Sequence, residues 1–195
     1  MQRIQSYWEE RIYFRDIDVV IIGGGIVGLS TGISLLEKDP GLRILVLERS
    51  PIPYGASTRN AGFACFGSPT ELLEELRQHD ADEVFGLFAR RYAGIRSLRQ
   101  RTANHDIGYE AFGGHEVLAG GEEVSSGQLD ELNRMILSYT GIEGYFSFDD
   151  DCLPKNGLNG FRRCIRTEHE ACIDPMLMIR SLQQIYVQSG GLLLH

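Results

Sequence analysis

The sequence predicts an α/β fold, a parallel sheet with helical crossovers that is interrupted by an inserted α+β lobe. Three observations carry this expectation. Val19-Val20-Ile21-Ile22 and Ile44-Leu45-Val46-Leu47 are short, wholly apolar runs, as expected of central parallel strands covered on both faces. Between them lie a glycine turn and a segment of helical periodicity. Far downstream, a second helical segment ends at Gly190-Gly191 and delivers Leu192-Leu193-Leu194 as a third strand parallel to the first two.

The first strand leads into Gly23, Gly25 and Gly28, a G-x-G-x-x-G pattern. The first glycine permits the tight turn, the second lets a pyrophosphate approach the backbone, and the third lets helix and strand pack closely. Gly32 extends that face by one turn. A helix starting at Ile26 and Val27 presents free N–H groups and the positive end of its dipole, worth roughly 0.3–2 kcal/mol to an anion. Apolar Leu29, Ile33, Leu35 and Leu36 follow, and Pro40-Gly41 stops the helix. Glu48 ends the second strand, 20 positions beyond Gly28, where a carboxylate can accept from the ribose hydroxyls of an adenosine. An acid there argues against a 2′-phosphate, hence against NADP. Together these features predict a Rossmann-like, dinucleotide-binding βαβ unit. The bland alternative is a βαβ unit with a glycine turn and no ligand.

Composition narrows the classes. The chain has 195 residues, 43% of them apolar, enough for a sizeable core, and a formal net charge of −8. No basic block or aromatic-basic stripe is present, which argues against nucleic acid as a partner. Arg90 to Arg101 reads as a solvated helix face. Met1 to Arg15 lacks an apolar leader core, and no apolar run approaches the ~20 residues of a membrane helix. Cys65, Cys152, Cys164 and Cys172 form no C-x-x-C pair, and the five histidines show no H-x-x-x-H spacing. We therefore expect reduced thiols, a cytoplasmic protein and no metal site.

Residues 1–16 form a lead-in whose Trp8, Ile12, Tyr13 and Phe14 are available to dock on the body. Ser50 to Gly55 is a proline-rich loop. The segment Gly55 to Gly67 joins polar Ser57, Thr58, Arg59 and Asn60 to small and apolar residues. It suits either a stretch lying along a flat, polar-edged ring or a loop whose apolar end enters the core. Pro69 to Arg101 reads as helix, with Thr70 as a cap and a second stretch built on Val84, Leu87, Phe88, Tyr92, Ile95 and Leu98. Tyr109 to Phe112 and Glu116 to Ala119 read as strands around a Gly113-Gly114 turn. Glu122 to Tyr139 is helical, Gly141 to Phe148 offers an aromatic strand, Asp149-Asp150-Asp151 a solvated turn, and Phe161 to Arg166 a strand. Asp174 and Pro175 open the last helix as cap and first residue.

The chain resembles the N-terminal part of the FAD-dependent oxidoreductases of the D-amino-acid oxidase, glycine oxidase and sarcosine oxidase superfamily. The resembling residues are Asp18 to Gly32, Leu45 to Arg49, Gly55-Ala56-Ser57 with Asn60-Ala61-Gly62, and Ile173-Asp174-Pro175 with Gly190-Gly191. The resemblance implies FAD as cofactor. It places the ADP half on Gly23, Gly25, Ile26, Val27 and Gly28, the ribose on Glu48 with Arg49 beside it, and the flavin along Ser57, Thr58, Arg59, Asn60, Ala61 and Gly62. It implies residues 17–68 as the first part of an FAD-binding domain, 69–170 as an inserted substrate or cap lobe, and 171–195 as the return helix and third strand. Relatives of this kind are longer, so the chain is expected to be truncated at its C-terminus or to need a second subunit, and to retain flavin weakly. No catalytic residue is assigned. The implied reaction is oxidation of a C–N bond in a small amino acid or amine by hydride transfer to flavin. The alternatives are an NAD-dependent dehydrogenase and a non-catalytic dinucleotide-binding fragment or subunit.

Overall fold

The computed structural model describes residues 6–195. Along the chain, helix α1 (Tyr7–Glu9) runs into a π-helical turn (Glu10–Phe14), followed by β1 (Val19–Ile22), α2 (Ile26–Lys38), β2 (Ile44–Leu47), a 3₁₀ turn (Ala56–Thr58) and β3 (Phe63–Ala64). Then come α3 (Pro69–Glu75), α4 (Ala81–Arg101), β4 (Gly114–Leu118), α5 (Ser126–Thr140), β5 (Ser147–Phe148), α6 (Cys152–Lys155), β6 (Arg163–Thr167), β7 (Ala171–Cys172), α7 (Pro175–Gln188) and β8 (Leu192–Leu194). The chain divides into two compact units. One comprises residues up to Gly62 with Thr102–Gly108 and Asp174–His195; the other comprises Phe63–Arg101 and Tyr109–Ile173.

The first unit is the parallel α/β body. Its sheet has the order β1-β2-β8, both pairings parallel, with Val19 opposite Ile44 and Leu45 opposite Leu192. The parallel register and the third strand match the expectation. The residues of β1 alternate between half-buried and exposed, and Ile22 is 79% exposed. β2 holds the middle, with Ile44, Leu45 and Val46 buried.

Helices α2 and α7 pack together through one tyrosine. Tyr186 is fully buried, and its hydroxyl donates to the carbonyls of Ile44 (2.7 Å) and Leu192 (3.3 Å), tying β2 to β8. A Cβ on Gly32 would lie 2.7 Å from the Tyr186 ring, so the helix can lie here only because residue 32 has no side chain. Asp174 caps α7 by accepting from the N–H groups of Met176 (2.8 Å) and Leu177 (3.0 Å), with Pro175 as first residue. In the lead-in, Trp8, Ile12, Tyr13 and Phe14 are exposed and do not dock. What fastens that segment is Arg43, whose guanidinium donates to the carbonyls of Ile12 (2.9 Å) and Arg15 (3.2 Å). Residues 1–5 of the expected lead-in lie outside the described residues.

The second unit is an antiparallel sheet, order β4-β6-β5, with helices packed on it. One face of the sheet carries Leu118 and Ile165 into the main core, with Phe66, Leu72, Phe85, Phe88, Leu132, Ile136, Tyr145 and Phe146. Tyr145 makes edge contacts with Phe88 (5.2 Å) and Phe146 (4.7 Å). The other face carries Val117 and Cys164 against Cys152, Leu153, Leu158 and Phe161.

Four local expectations change here. Ser68 rather than Thr70 caps the first helix, accepting from the Glu71 N–H, and that helix stops at Glu75 before α4 begins. The hairpin around Gly113-Gly114 does not form; β4 pairs with β6, and Glu110 makes only a single bridge to Cys172. In the aromatic stretch only Ser147 and Phe148 are strand, while Tyr145 and Phe146 are buried core residues. The triple-aspartate turn is engaged: Asp150 accepts from the Cys164 N–H (2.9 Å) and pairs with Arg163 (3.1 Å).

Candidate dinucleotide site

The site is built where β1 hands over to α2. Gly23 takes φ +106°, a left-handed conformation open to glycine, and its N–H donates to the Leu47 carbonyl (2.7 Å), fixing the turn against the end of β2. Gly25 is the N-cap of α2 in extended conformation, and the helical ladder begins with Leu29 donating to Gly25 (3.0 Å). The N–H groups of Val27 and Gly28 therefore precede any intrahelical acceptor. A Cβ on Gly28 would collide with the Gly23 carbonyl oxygen. That glycine lets α2 start directly against the strand.

Glu48 leaves the end of β2 and turns into the crevice. Its carboxylate accepts from the Gly24 N–H (2.8 Å) and the Ser50 N–H (3.3 Å). Ser57 arrives from the loop beyond and accepts from the Ile26 N–H (3.1 Å). A Cβ on Gly25 would come within 2.8 Å of that hydroxyl oxygen, so glycine at 25 and serine at 57 are a matched pair. Between these groups lies a cavity of about 310 Å³ lined by Ile22, Gly23, Gly25, Leu47, Glu48, Arg49, Pro53, Tyr54, Gly55 and Ser57. Its volume sits at the small end of ligand-sized pockets, roughly 300–1,000 Å³.

Among the residues singled out from sequence, Gly23, Gly25, Glu48, Arg49 and Ser57 line one cavity, and Ile26 adjoins it through Ser57. The remaining loop residues organise the loop. Thr58 donates to the Pro53 carbonyl (2.9 Å). Asn60 donates to the Ala56 carbonyl (3.0 Å) and accepts from the Gly62 N–H (2.9 Å). The Arg59 guanidinium stacks on the Tyr54 ring, 3.3 Å from its centroid. Two contributors went unnoticed in the sequence. Gly24, an unspecified position of the motif, supplies the N–H that orients Glu48, and Tyr54 forms a wall; only its place in a proline loop just after Glu48 hinted at that. Cys65, just beyond the strand that follows this loop, is exposed. Its thiol is nonetheless held neutral, with a pKa raised by partial desolvation and by Glu170 and Glu71.

Sequence comparison decides the family. The profile of the DAO family of FAD dependent oxidoreductases matches residues 18–195. The chain belongs to this family. Among curated relatives it is 30% identical over 118 residues to the probable oxidoreductase OrdL of Haemophilus influenzae, covering 60% of this chain and 26% of that protein. It is 50% identical over 46 residues to the mitochondrial L-2-hydroxyglutarate dehydrogenase of Dictyostelium discoideum, covering 23% of this chain and 10% of that protein. The L-amino acid deaminase of Proteus myxofaciens shares the fold, with a TM-score of 0.66 at 20% identity over 93% of this chain and 38% of that one. The chain thus spans less than half the length of the proteins it matches. The DAO-family fold uses FAD, so the Rossmann-like α/β architecture and the cofactor class both agree with the sequence reading. No described helix is long and apolar enough to cross a membrane.

Proposed function

We propose that the chain is the FAD-binding portion of an oxidoreductase that oxidises a C–N bond of a small amino acid or amine. The observation that carries this reading is the Glu48 carboxylate, turned into a cavity that also receives the glycine turn and the start of α2. Backbone N–H groups at a helix start and a carboxylate one strand away are the donor and acceptor that a diphosphate and a ribose need. The residues present fit the cofactor on geometric grounds: the amides of Val27 and Gly28 precede any intrahelical acceptor, and the cavity lined by Gly23, Gly25 and Glu48 suits the adenosine-diphosphate end of FAD. When bound, FAD supplies the hydride acceptor.

The roles of this chain's residues are binding and orientation. Val27 and Gly28 N–H groups and the α2 dipole hold the diphosphate. Glu48 accepts from the ribose, kept in place by the Gly24 N–H, with Arg49 at the rim. Ser57 holds the loop to α2 through Ile26, and Thr58, Arg59, Asn60, Ala61 and Gly62 carry that loop past the flavin. Ser57 and Glu48 already occupy two amides of the turn, so the diphosphate uses the amides beyond them.

A second reading, oxidation of the C–OH of a 2-hydroxy acid, is favoured by the short 50% identical match to an L-2-hydroxyglutarate dehydrogenase. The test is FAD titration by quenching of flavin fluorescence, followed by anaerobic bleaching with candidate substrates. Glu48→Ala is expected to weaken FAD binding by at least ~10-fold, the value of a charge-assisted hydrogen bond. Unchanged affinity would remove Glu48 from the site. Bleaching by glycine, sarcosine, proline or a D-amino acid supports the amine reading. Bleaching only by L-2-hydroxyglutarate replaces it with the second.

A further inference from the structure

A second constellation lies in the antiparallel unit, remote in sequence from the glycine turn. His115, Cys152 and Cys164 each offer a ligand atom, and these atoms all lie within 4.8 Å of one another. The sheet register explains the meeting. Val117 on β4 stands opposite Cys164 on β6, and side chains two apart on a strand share a face, so His115 and Cys164 project on the same side. On the other flank, Asp149 follows β5 and donates its N–H to the Cys164 carbonyl (2.8 Å), which places it beside Cys164 in turn. Asp149 Oδ2 lies 3.5 Å from His115 Nε2. Cys152 then comes over this face from α6 and packs with Cys164.

We propose that His115, Cys152 and Cys164 bind a zinc ion, with the fourth position taken by Asp149 or water. Two thiols and an imidazole are the donor set that zinc prefers over the harder cations. In a tetrahedral site with metal–ligand bonds of roughly 2.0–2.3 Å, ligand atoms stand about 3.5–3.8 Å apart. The observed span therefore needs a contraction of about an ångström, within reach of side-chain rotation. Electrostatics point the same way. The carboxylate of Asp150 accepts from the Cys164 N–H (2.9 Å) and that of Asp149 stands beside His115, so this face carries negative charge that a cation would offset. The arginines of β6 are engaged elsewhere, Arg163 with Asp150 and Arg166 with Glu168. Cys164 is fully buried and Cys152 nearly so, while His115 is exposed, so the ion enters from the His115 side. Binding releases the protons of both thiols and ties β4, β6 and α6 together. No sequence spacing announces the site, because its ligands come from three separate elements.

The test is cobalt titration of the reduced 195-residue chain, followed by displacement with zinc. Thiolate-to-cobalt charge-transfer absorption that saturates stoichiometrically and disappears on adding zinc is expected. Cys152→Ser abolishes that absorption, and His115→Ala, at an exposed position that leaves the core intact, weakens binding by roughly 10–100-fold or more. Absence of the charge-transfer bands in reduced wild-type chain overturns the proposal, including the case where Cys152 and Cys164 are found joined as a disulfide before reduction. Bands undiminished in both Cys152→Ser and His115→Ala overturn it too, since the metal then sits on other thiols. Flavin binding has no part in the readout.

Discussion

Gly28→Ala is the sharpest perturbation of the glycine turn. A methyl group on residue 28 would collide with the Gly23 carbonyl oxygen, and would stand 3.2 Å from the Gly23 carbonyl carbon and 3.3 Å from Ile21 Cγ2. The main obstacle is backbone, and Gly23 cannot swing away, because its N–H is bonded to Leu47 and its φ is +106°. Relief requires the first turn of α2 to lift off β1. Overpacking of this kind costs about 1–3 kcal/mol, and a backbone obstacle puts it at the upper end or beyond. Alanine recovers about 1 kcal/mol of helix propensity. The net loss is about 2 kcal/mol or more, a fall of roughly 4–8 °C in melting temperature for a chain of this length. FAD affinity falls with it, by at least ~10-fold, because the amides that meet the diphosphate move. Gly55→Ala is the control. Gly55 lines the cavity beside the glycine turn, has φ −145°, and a Cβ there meets nothing within 4 Å, so the stability of Gly55→Ala stays within about 0.5 kcal/mol of wild type. Calorimetry and flavin titration on both variants decide it. A Gly28→Ala chain that melts and binds FAD like wild type, or a Gly55→Ala chain equally damaged, refutes the packing argument.

Tyr186→Phe strips the hydroxyl that joins the Ile44 and Leu192 carbonyls; a loss of about 1 kcal/mol, or roughly 2–4 °C, is expected in a thermal melt. Ser57→Ala removes the acceptor on the Ile26 N–H and is expected to cost about 0.5–2 kcal/mol, as loss of a helix cap does, read by denaturant midpoint. Glu170 has its pKa raised above the ordinary 4.5, chiefly by burial and further by Glu116 and Glu71. The folded chain therefore holds that proton more tightly than the unfolded one, and this contribution to stability is lost as pH rises from about 4.5 through the raised value. Glu170→Gln is expected to flatten stability against pH in that window; an unchanged profile removes Glu170 as its source.

Much of the parallel body was legible because its signals are local. Val19 to Ile22, Ile44 to Leu47 and the Asp174-Pro175 start of α7 are written in contiguous residues. The antiparallel unit was harder to read. Tyr109 to Phe112 and Gly113-Gly114 have hairpin chemistry, yet β4 takes its partner about fifty residues downstream, at Arg163 to Thr167. Tyr145 and Phe146 look like strand residues and are instead anchors of an aromatic core. In the candidate site, Gly23, Gly25, Gly28 and Glu48 could be named in advance because their spacing is the geometry. Gly24 and Tyr54 could not, since their parts depend on where Glu48 and the loop come to rest.

The sequence by itself determined the backbone of the turn: missing side chains at Gly23, Gly25 and Gly28, an acid after the second strand, and apolar runs that must become strands. These are short-range facts, fixed by sterics within a few residues. Only the tertiary structure decided that Ser57 closes on Ile26 and that His115, Cys152 and Cys164 meet across three elements. Each depends on strand register and on the path of a long connection, and neither is encoded in any single stretch of the chain.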